Sequence, residues 1–146
     1  MTRFLLSLMA LLTFAAPMLA QQSEMFGPYE LHYSVVNTTF LEPQVASTYG
    51  ITRGKQHAIL NLALREHLDD GGEVARVMQL QGRTRDLIQQ EQNLEFMEIR
   101  EGQAIYYLAD FKFINEEWRF FEVDFRPEGA DRTYTFKLKH QLYMDE

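Results

Sequence analysis

Thr133-Tyr134-Thr135-Phe136-Lys137-Leu138-Lys139-His140-Gln141-Leu142 is the stretch on which the fold of this chain turns. Tyr134, Phe136, Leu138 and Leu142 fall on one side of it, and Thr133, Thr135, Lys137, Lys139 and Gln141 on the other. Successive side chains of a strand point to opposite faces, so this pattern predicts a strand with one face in a core and one in water. The same period of two runs through Phe121, Val123 and Phe125 against Glu122, Asp124 and Arg126. It recurs in Ala58, Leu60, Leu62 and Leu64, and in Leu31, Tyr33 and Val35. Ile105 to Phe113 departs from it by carrying apolar residues on both faces, as a strand covered on both sides would.

Turn chemistry separates these runs. Asp69-Asp70-Gly71-Gly72, Arg100-Glu101-Gly102, Asn115-Glu116-Glu117 and Pro127-Glu128-Gly129 are hairpin or loop signals. Strands at such short spacing predict an all-β fold, an immunoglobulin-like antiparallel β-sandwich of seven or eight strands. One short helix interrupts it after the first strand. Pro43 pre-sets helical φ at its start and Gly50 suits the left-handed exit, which places the helix over Pro43 to Tyr49. Glu73 to Gln92 fits either a helical or an alternating pattern; Gly82 and the β-branched content favour two strands. An outer-membrane barrel is disfavoured by short acidic turns and modest apolar stripes.

The first twenty residues follow different rules. Arg3 precedes an uncharged, mostly apolar run from Phe4 to Ala16, Pro17 breaks it, and Ala20 offers a small residue before Gln21. That is the layout of a secretory signal peptide, although Met18 stands where a small residue is preferred. The run is too short for a transmembrane helix, which needs about 20 apolar residues. The expected division is therefore a signal peptide at 1–20 and a single β-sandwich domain at 21–146. The expected location is the periplasm, with no stable membrane insertion after cleavage. The chain has no cysteine, so neither a lipoprotein anchor nor a disulfide contributes. Stability must come from packing and backbone pairing, which a chain of this length can supply by burying roughly two thirds of its unfolded surface.

The whole chain carries a net charge of −7, and Arg3 is the only charged residue of the leader. The remainder is more acidic still. Nucleic acid and anionic membranes repel such a field, and no basic stripe along the sequence offsets it.

Catalytic motifs are absent from the sequence. Ser23, Ser34 and Ser47 lie outside any nucleophile elbow. His32, His57, His67 and His140 show no paired-histidine spacing. His67 with Asp69 and Asp70 resembles half a metal site, but a strand end running into an acidic turn is the favoured explanation, and no metal or cofactor is expected. Glu116, Glu117, Glu122, Asp124 and Glu128 sit at a turn or point outward, where carboxylates keep their ordinary role as a solvated face. Trp118, beside a turn, is expected to pack in part.

The loop from Tyr49 to His57 stands out because it gathers Arg53, Lys55 and two glycines in an acidic chain. Tyr49, Arg53, Lys55 and His57 form the candidate ligand-binding set, suited to a carboxylate or another small anion. A connecting loop with its charges paired to nearby acids is the plainer alternative.

Two stretches carry a resemblance. One runs from His32-Tyr33 through Asn37-Thr38-Thr39-Phe40-Leu41, Pro43, Val45, Tyr49-Gly50-Ile51 and Arg53 to Ile59-Leu60-Asn61; the other is Glu101-Gly102-Gln103-Ala104-Ile105-Tyr106-Tyr107. The chain resembles a family of short secreted gammaproteobacterial proteins known as domain of unknown function 4426. That resemblance implies a periplasmic single-domain protein and assigns no catalytic residue. Ala104-x-Tyr106 also echoes an immunoglobulin tyrosine corner, with Leu108 in place of the following cysteine. Together these readings predict a periplasmic, non-catalytic binding or accessory module. Its partner would be another protein or a small anionic ligand. The alternatives are a hydrolase using carboxylates or a bound metal, and a structural envelope component.

Overall fold

The alternation of residues 133–142 becomes the last strand of a two-sheet sandwich, and its apolar side faces the space between the sheets. The computed structural model describes residues 22–145, so the predicted signal peptide lies outside the described residues. Ten strands follow in order: β1 (Gln22–Phe26), β2 (Tyr29–Asn37), β3 (His57–His67), β4 (Glu73–Ala75), β5 (Met78–Arg85), β6 (Glu91–Leu94), β7 (Met97–Glu101), β8 (Ala104–Lys112), β9 (Glu117–Pro127) and β10 (Tyr134–Leu142). A 3-10 turn (Thr38–Phe40) and helix α1 (Pro43–Thr48) separate β2 from β3. The all-β sandwich is the predicted class. The strand count exceeds seven or eight because β1, β4 and β6 are short, with three to five residues each.

The first sheet runs β1-β2-β3-β8-β7, with β4 attached to β3. The second runs β10-β9-β5-β6. Every pairing is antiparallel. The core lies between them. Leu31, Leu60, Leu62, Leu64, Tyr107 and Phe111 come from the first sheet; Phe121, Val123, Phe125, Phe136 and Leu142 come from the second. Aromatic pairs stitch the layers. Phe26 meets Phe125 with ring centroids 5.0 Å apart, and Phe111 meets Phe121 at 5.2 Å. A fully buried side chain of this size contributes about 1.5–3 kcal/mol relative to exposure.

The ambiguous stretch after Glu73 forms strands, but Gly82 does not divide them: it lies inside β5, paired to Val123 and Leu94, where a side chain has no room. A Cβ at Gly82 would lie 2.9 Å from the Phe96 ring and 3.1 Å from a Val123 methyl. The glycine makes room for Phe96 against the core.

Two finer expectations are corrected. In β8, Tyr106 and Leu108 are only partly buried, because this strand has the second sheet on one face alone. The tyrosine corner is also not at Tyr106. The neighbouring Tyr107 is the buried one, and its hydroxyl accepts the Met78 N–H at 3.0 Å and donates to Glu98 at 2.7 Å. Burial pushes that phenol up to about 12, against the lowering effect of the Met78 N–H.

One feature of the topology positions the site. β3 changes neighbours along its length. His57 to Leu62 pair with β8, whereas Arg65 to His67 pair with β4. The sheet therefore forks at Ala63 and Leu64.

Candidate functional site

β2, β3 and β4 each send one metal-ligating side chain to the same place on the outer face of the first sheet. His67 stands directly opposite Glu73 in the β3–β4 ladder. Glu30 stands opposite Arg65, two residues before His67 on the same face. The period of two that buries Leu31, Leu62 and Leu64 turns Glu30, Arg65 and His67 outward. The core pattern thus dictates the polar cluster on the reverse side.

The distances are short. Glu30 Oε2 lies 2.8 Å from His67 Nε2, and Glu73 Oε1 lies 3.3 Å from His67 Nδ1. Glu30, His67 and Glu73 can each offer one ligand atom so that all lie within 4.8 Å of one another. Around an ion with bonds of about 2.0–2.2 Å, ligands stand no more than about 4.4 Å apart, so small side-chain rotations would close the set. The carboxylates are also held from behind. Ser23 Oγ donates to Glu30 Oε1 at 2.8 Å, and Arg65 Nε donates to Glu73 Oε2 at 3.1 Å. Such outer partners orient ligands for a metal. The His67 hydrogen bond, followed by that of Ser23, holds the Glu30 carboxyl below the usual carboxylate range; desolvation opposes them.

His32 joins the edge of this cluster. Its Nε2 is 3.7 Å from Glu30 Oε1, beyond a good hydrogen bond, and both ring nitrogens are buried without a partner. A small shift would bring a second imidazole into the cluster.

The residues singled out from sequence lie elsewhere. His57 and His67 begin and end β3, roughly 33 Å apart at strand rise. Tyr49 donates its hydroxyl to Glu101 Oε1 at 3.1 Å, and that bond raises its pKa. Arg53 Nη2 donates to the Thr39 carbonyl at 3.1 Å. Lys55 is exposed in the turn before β3. Thr38 organises this loop, accepting the Gly54 N–H at 3.0 Å and facing the carbonyls of Gly54 and His57. Asp69 and Asp70 do not join His67; Asp70 instead closes its own turn by accepting the Gly72 N–H at 2.8 Å. The partners of His67 are Glu30 and Glu73, which sequence reading missed. Only Glu73 was within reach, as the residue just past the Gly71-Gly72 turn; Glu30 is 37 positions away.

A two-layer antiparallel sandwich with a histidine–carboxylate cluster on one outer face defines a small β-sandwich protein with a polar surface site. The chain belongs to the DUF4426 family, a domain of unknown function, whose model matches residues 23–145. A crystal structure of a DUF4426 family protein from Pseudomonas aeruginosa PAO1 is 30% identical, with a TM-score of 0.74 over 86% of this chain and 96% of that one. Copper-bound FetP from uropathogenic Escherichia coli strain F11, in a variant form, shares the fold at 11% identity and a TM-score of 0.60, covering 87% of this chain and 92% of that one. The as-isolated FetP of the same strain, expressed in the E. coli periplasm, gives 11% and 0.60, covering 86% and 95%. No curated protein sequence matches the chain. No helix among the described residues is long and apolar enough to cross a membrane.

Proposed function

We propose that this protein is a non-catalytic periplasmic binding module that captures a divalent first-row transition-metal ion, with Glu30, His67 and Glu73 as ligands and His32 available as a fourth. The convergence of one imidazole and two carboxylates from three strands carries the reading. Imidazole suits copper, zinc and nickel, carboxylate widens the set to manganese, and at equal geometry Cu(II) binds most tightly. The fold is also that of FetP, which is found copper-bound. Export rests on the leader-like residues 1–20. A rigid sheet face is a suitable frame, because neighbouring strands fix the ligand spacing before the ion arrives.

Isothermal titration of the mature protein with Cu(II), followed by electron paramagnetic resonance, tests this. One equivalent should bind with a nitrogen- and oxygen-ligated spectrum. His67→Ala should weaken binding by more than the roughly 10–100-fold expected for losing a group that only orients a ligand, and Ser23→Ala by about tenfold. Copper affinity unchanged in both His67→Ala and Glu73→Gln would remove the assignment.

A further inference from the structure

The fork in the first sheet leaves a cleft beside the metal ligands. It has a volume of about 370 Å³, within the range of small-molecule sites of roughly 300–1,000 Å³. Its lining runs from Ala63 and Ala75 on one prong to Ala104 and Tyr106 on the other. Alanine is a poor strand residue, and an exposed sheet face ordinarily carries longer or branched side chains. Three alanines around one fork keep that space open. Glu73 and His32 belong to both the cleft and the ligand cluster, so the two are continuous.

We propose that the cleft receives a small organic carboxylate that shares the metal ion, so that the bound species is a metal–carboxylate chelate. The proposal rests on the metal reading above and extends it. Three protein donors leave coordination positions open, and an ion held by a face of a sheet has those positions on its exposed side. Arg65 provides the complementary charge. It donates from Nε to the Glu73 carboxylate at 3.1 Å and from Nη2 to the Glu73 backbone carbonyl at 3.5 Å, which leaves Nη1 to give an incoming carboxylate one charge-assisted hydrogen bond. Asn61 lies in the same cleft with its Oδ1 buried and unpartnered, an acceptor for a ligand hydroxyl or amine once the side chain turns. Ser34, opposite Asn61 in the β2–β3 ladder, adds a second neutral group. The recognised class is thus a small carboxylate that also bears a hydroxyl or amino group.

Equilibrium dialysis of the mature protein tests the idea with two radiolabelled probes, citrate and free histidine, each with and without equimolar Cu(II). Wild type should retain at least one probe in a 1:1 ratio with copper, and retain it at least tenfold less without copper. Ala63→Phe fills the fork and points outward, so it should keep copper while losing the probe at least tenfold. Asn61→Ala, which alters no ligand, should lower probe retention and leave copper retention unchanged. Copper retained with neither probe beside it, or probe retention unaffected by both variants, overturns the chelate while the metal site stands. Loss of copper retention by wild type removes both.

Discussion

Replacing Thr38 with valine removes one hydroxyl and keeps the side-chain shape. Thr38 is fully buried where the 3-10 turn meets the loop leading to β3. Its Oγ1 accepts the Gly54 N–H at 3.0 Å and can donate to the His57 carbonyl at 3.0 Å or the Gly54 carbonyl at 3.1 Å. Valine leaves that N–H without its acceptor and the carbonyls without their donor. Orphaning a buried donor costs about 1–3 kcal/mol, and the lost donation about 0.5–1.5 kcal/mol. Gly54 is half-buried, so water recovers part of this, and we expect a net loss of about 2 kcal/mol. That is a large share of a total stability of about 5–15 kcal/mol. Urea unfolding should show a lower midpoint with an unchanged slope, and amide exchange at Gly54 should accelerate. A change under about 0.5 kcal/mol would refute the claim that this hydroxyl organises the loop, because that is the range of featureless surface substitutions. The companion variant Arg53→Ala with Lys55→Ala leaves Thr38 in place and removes only exposed groups. It should cost less than about 1 kcal/mol. It therefore tests anion or partner binding by Tyr49, Arg53, Lys55 and His57 without unfolding the loop; unchanged capture of periplasmic partners by this double variant would remove that surface.

Gly82→Ala should destabilise by about 1–3 kcal/mol, read as a lower thermal midpoint, because the new methyl meets the Phe96 ring and the buried Val123. Burial lowers the pKa of His140, so it stays neutral in the fold below the pH at which the unfolded chain takes up a proton. The stability it contributes is present above its ordinary value of 6.5 and lost as pH falls. Urea midpoints between pH 7 and 5 should therefore flatten in His140→Gln; an unchanged slope would remove His140 as the cause. Glu30 acts in a lower window. Its depressed carboxyl contributes stability above its ordinary value of 4.5 that is lost as pH falls further, and Glu30→Gln should blunt that acid arm alone.

How much of this was legible in the sequence follows from the range over which each signal acts. Alternation and turn chemistry are local, and they located β2, β3, β8, β9, β10, α1 and the turns at Gly71, Gly102, Glu116 and Gly129, whereas β5 was found only in part because Gly82, read as a break, lies inside it. The short β4 and β6 were missed as separate strands because three or four residues carry too little periodicity. The Tyr106 corner failed for a similar reason: a motif fixes a residue type, whereas the face that residue occupies depends on strand pairing. Pairing is the part that one strand cannot reveal. His67 looked like the neighbour of Asp69 and Asp70, yet a hairpin register puts it opposite Glu73 and a second ladder brings up Glu30. The same limit hid a cationic face. Arg85 and Lys139 flank Phe120, and Arg83 and Lys137 flank Glu122, because β5, β9 and β10 align residues some fifty positions apart. No stripe of basic residues exists along the chain, but one exists across it.

The placement of Glu30, His67 and Glu73 separates what stabilises this protein from the proposed metal site. Along β3, Leu62 and Leu64 point into the core, whereas Ala63, Arg65 and His67 point to the outer face, the first two lining the cleft and His67 joining the Glu30–Glu73 cluster beside it. A one-residue slip would exchange the two sets, so the buried leucines hold the register that keeps the donors together. Truncating an outward group removes no core volume, and truncating an inward group removes no donor. Variants of Glu30, His67 and Glu73 should therefore lose metal at modest thermodynamic cost. A core variant such as Phe125→Ala should cost about 3–5 kcal/mol while the surviving folded molecules bind as before. If Phe125→Ala weakened copper binding beyond its folded fraction, the sheet would not be the rigid frame on which this site depends.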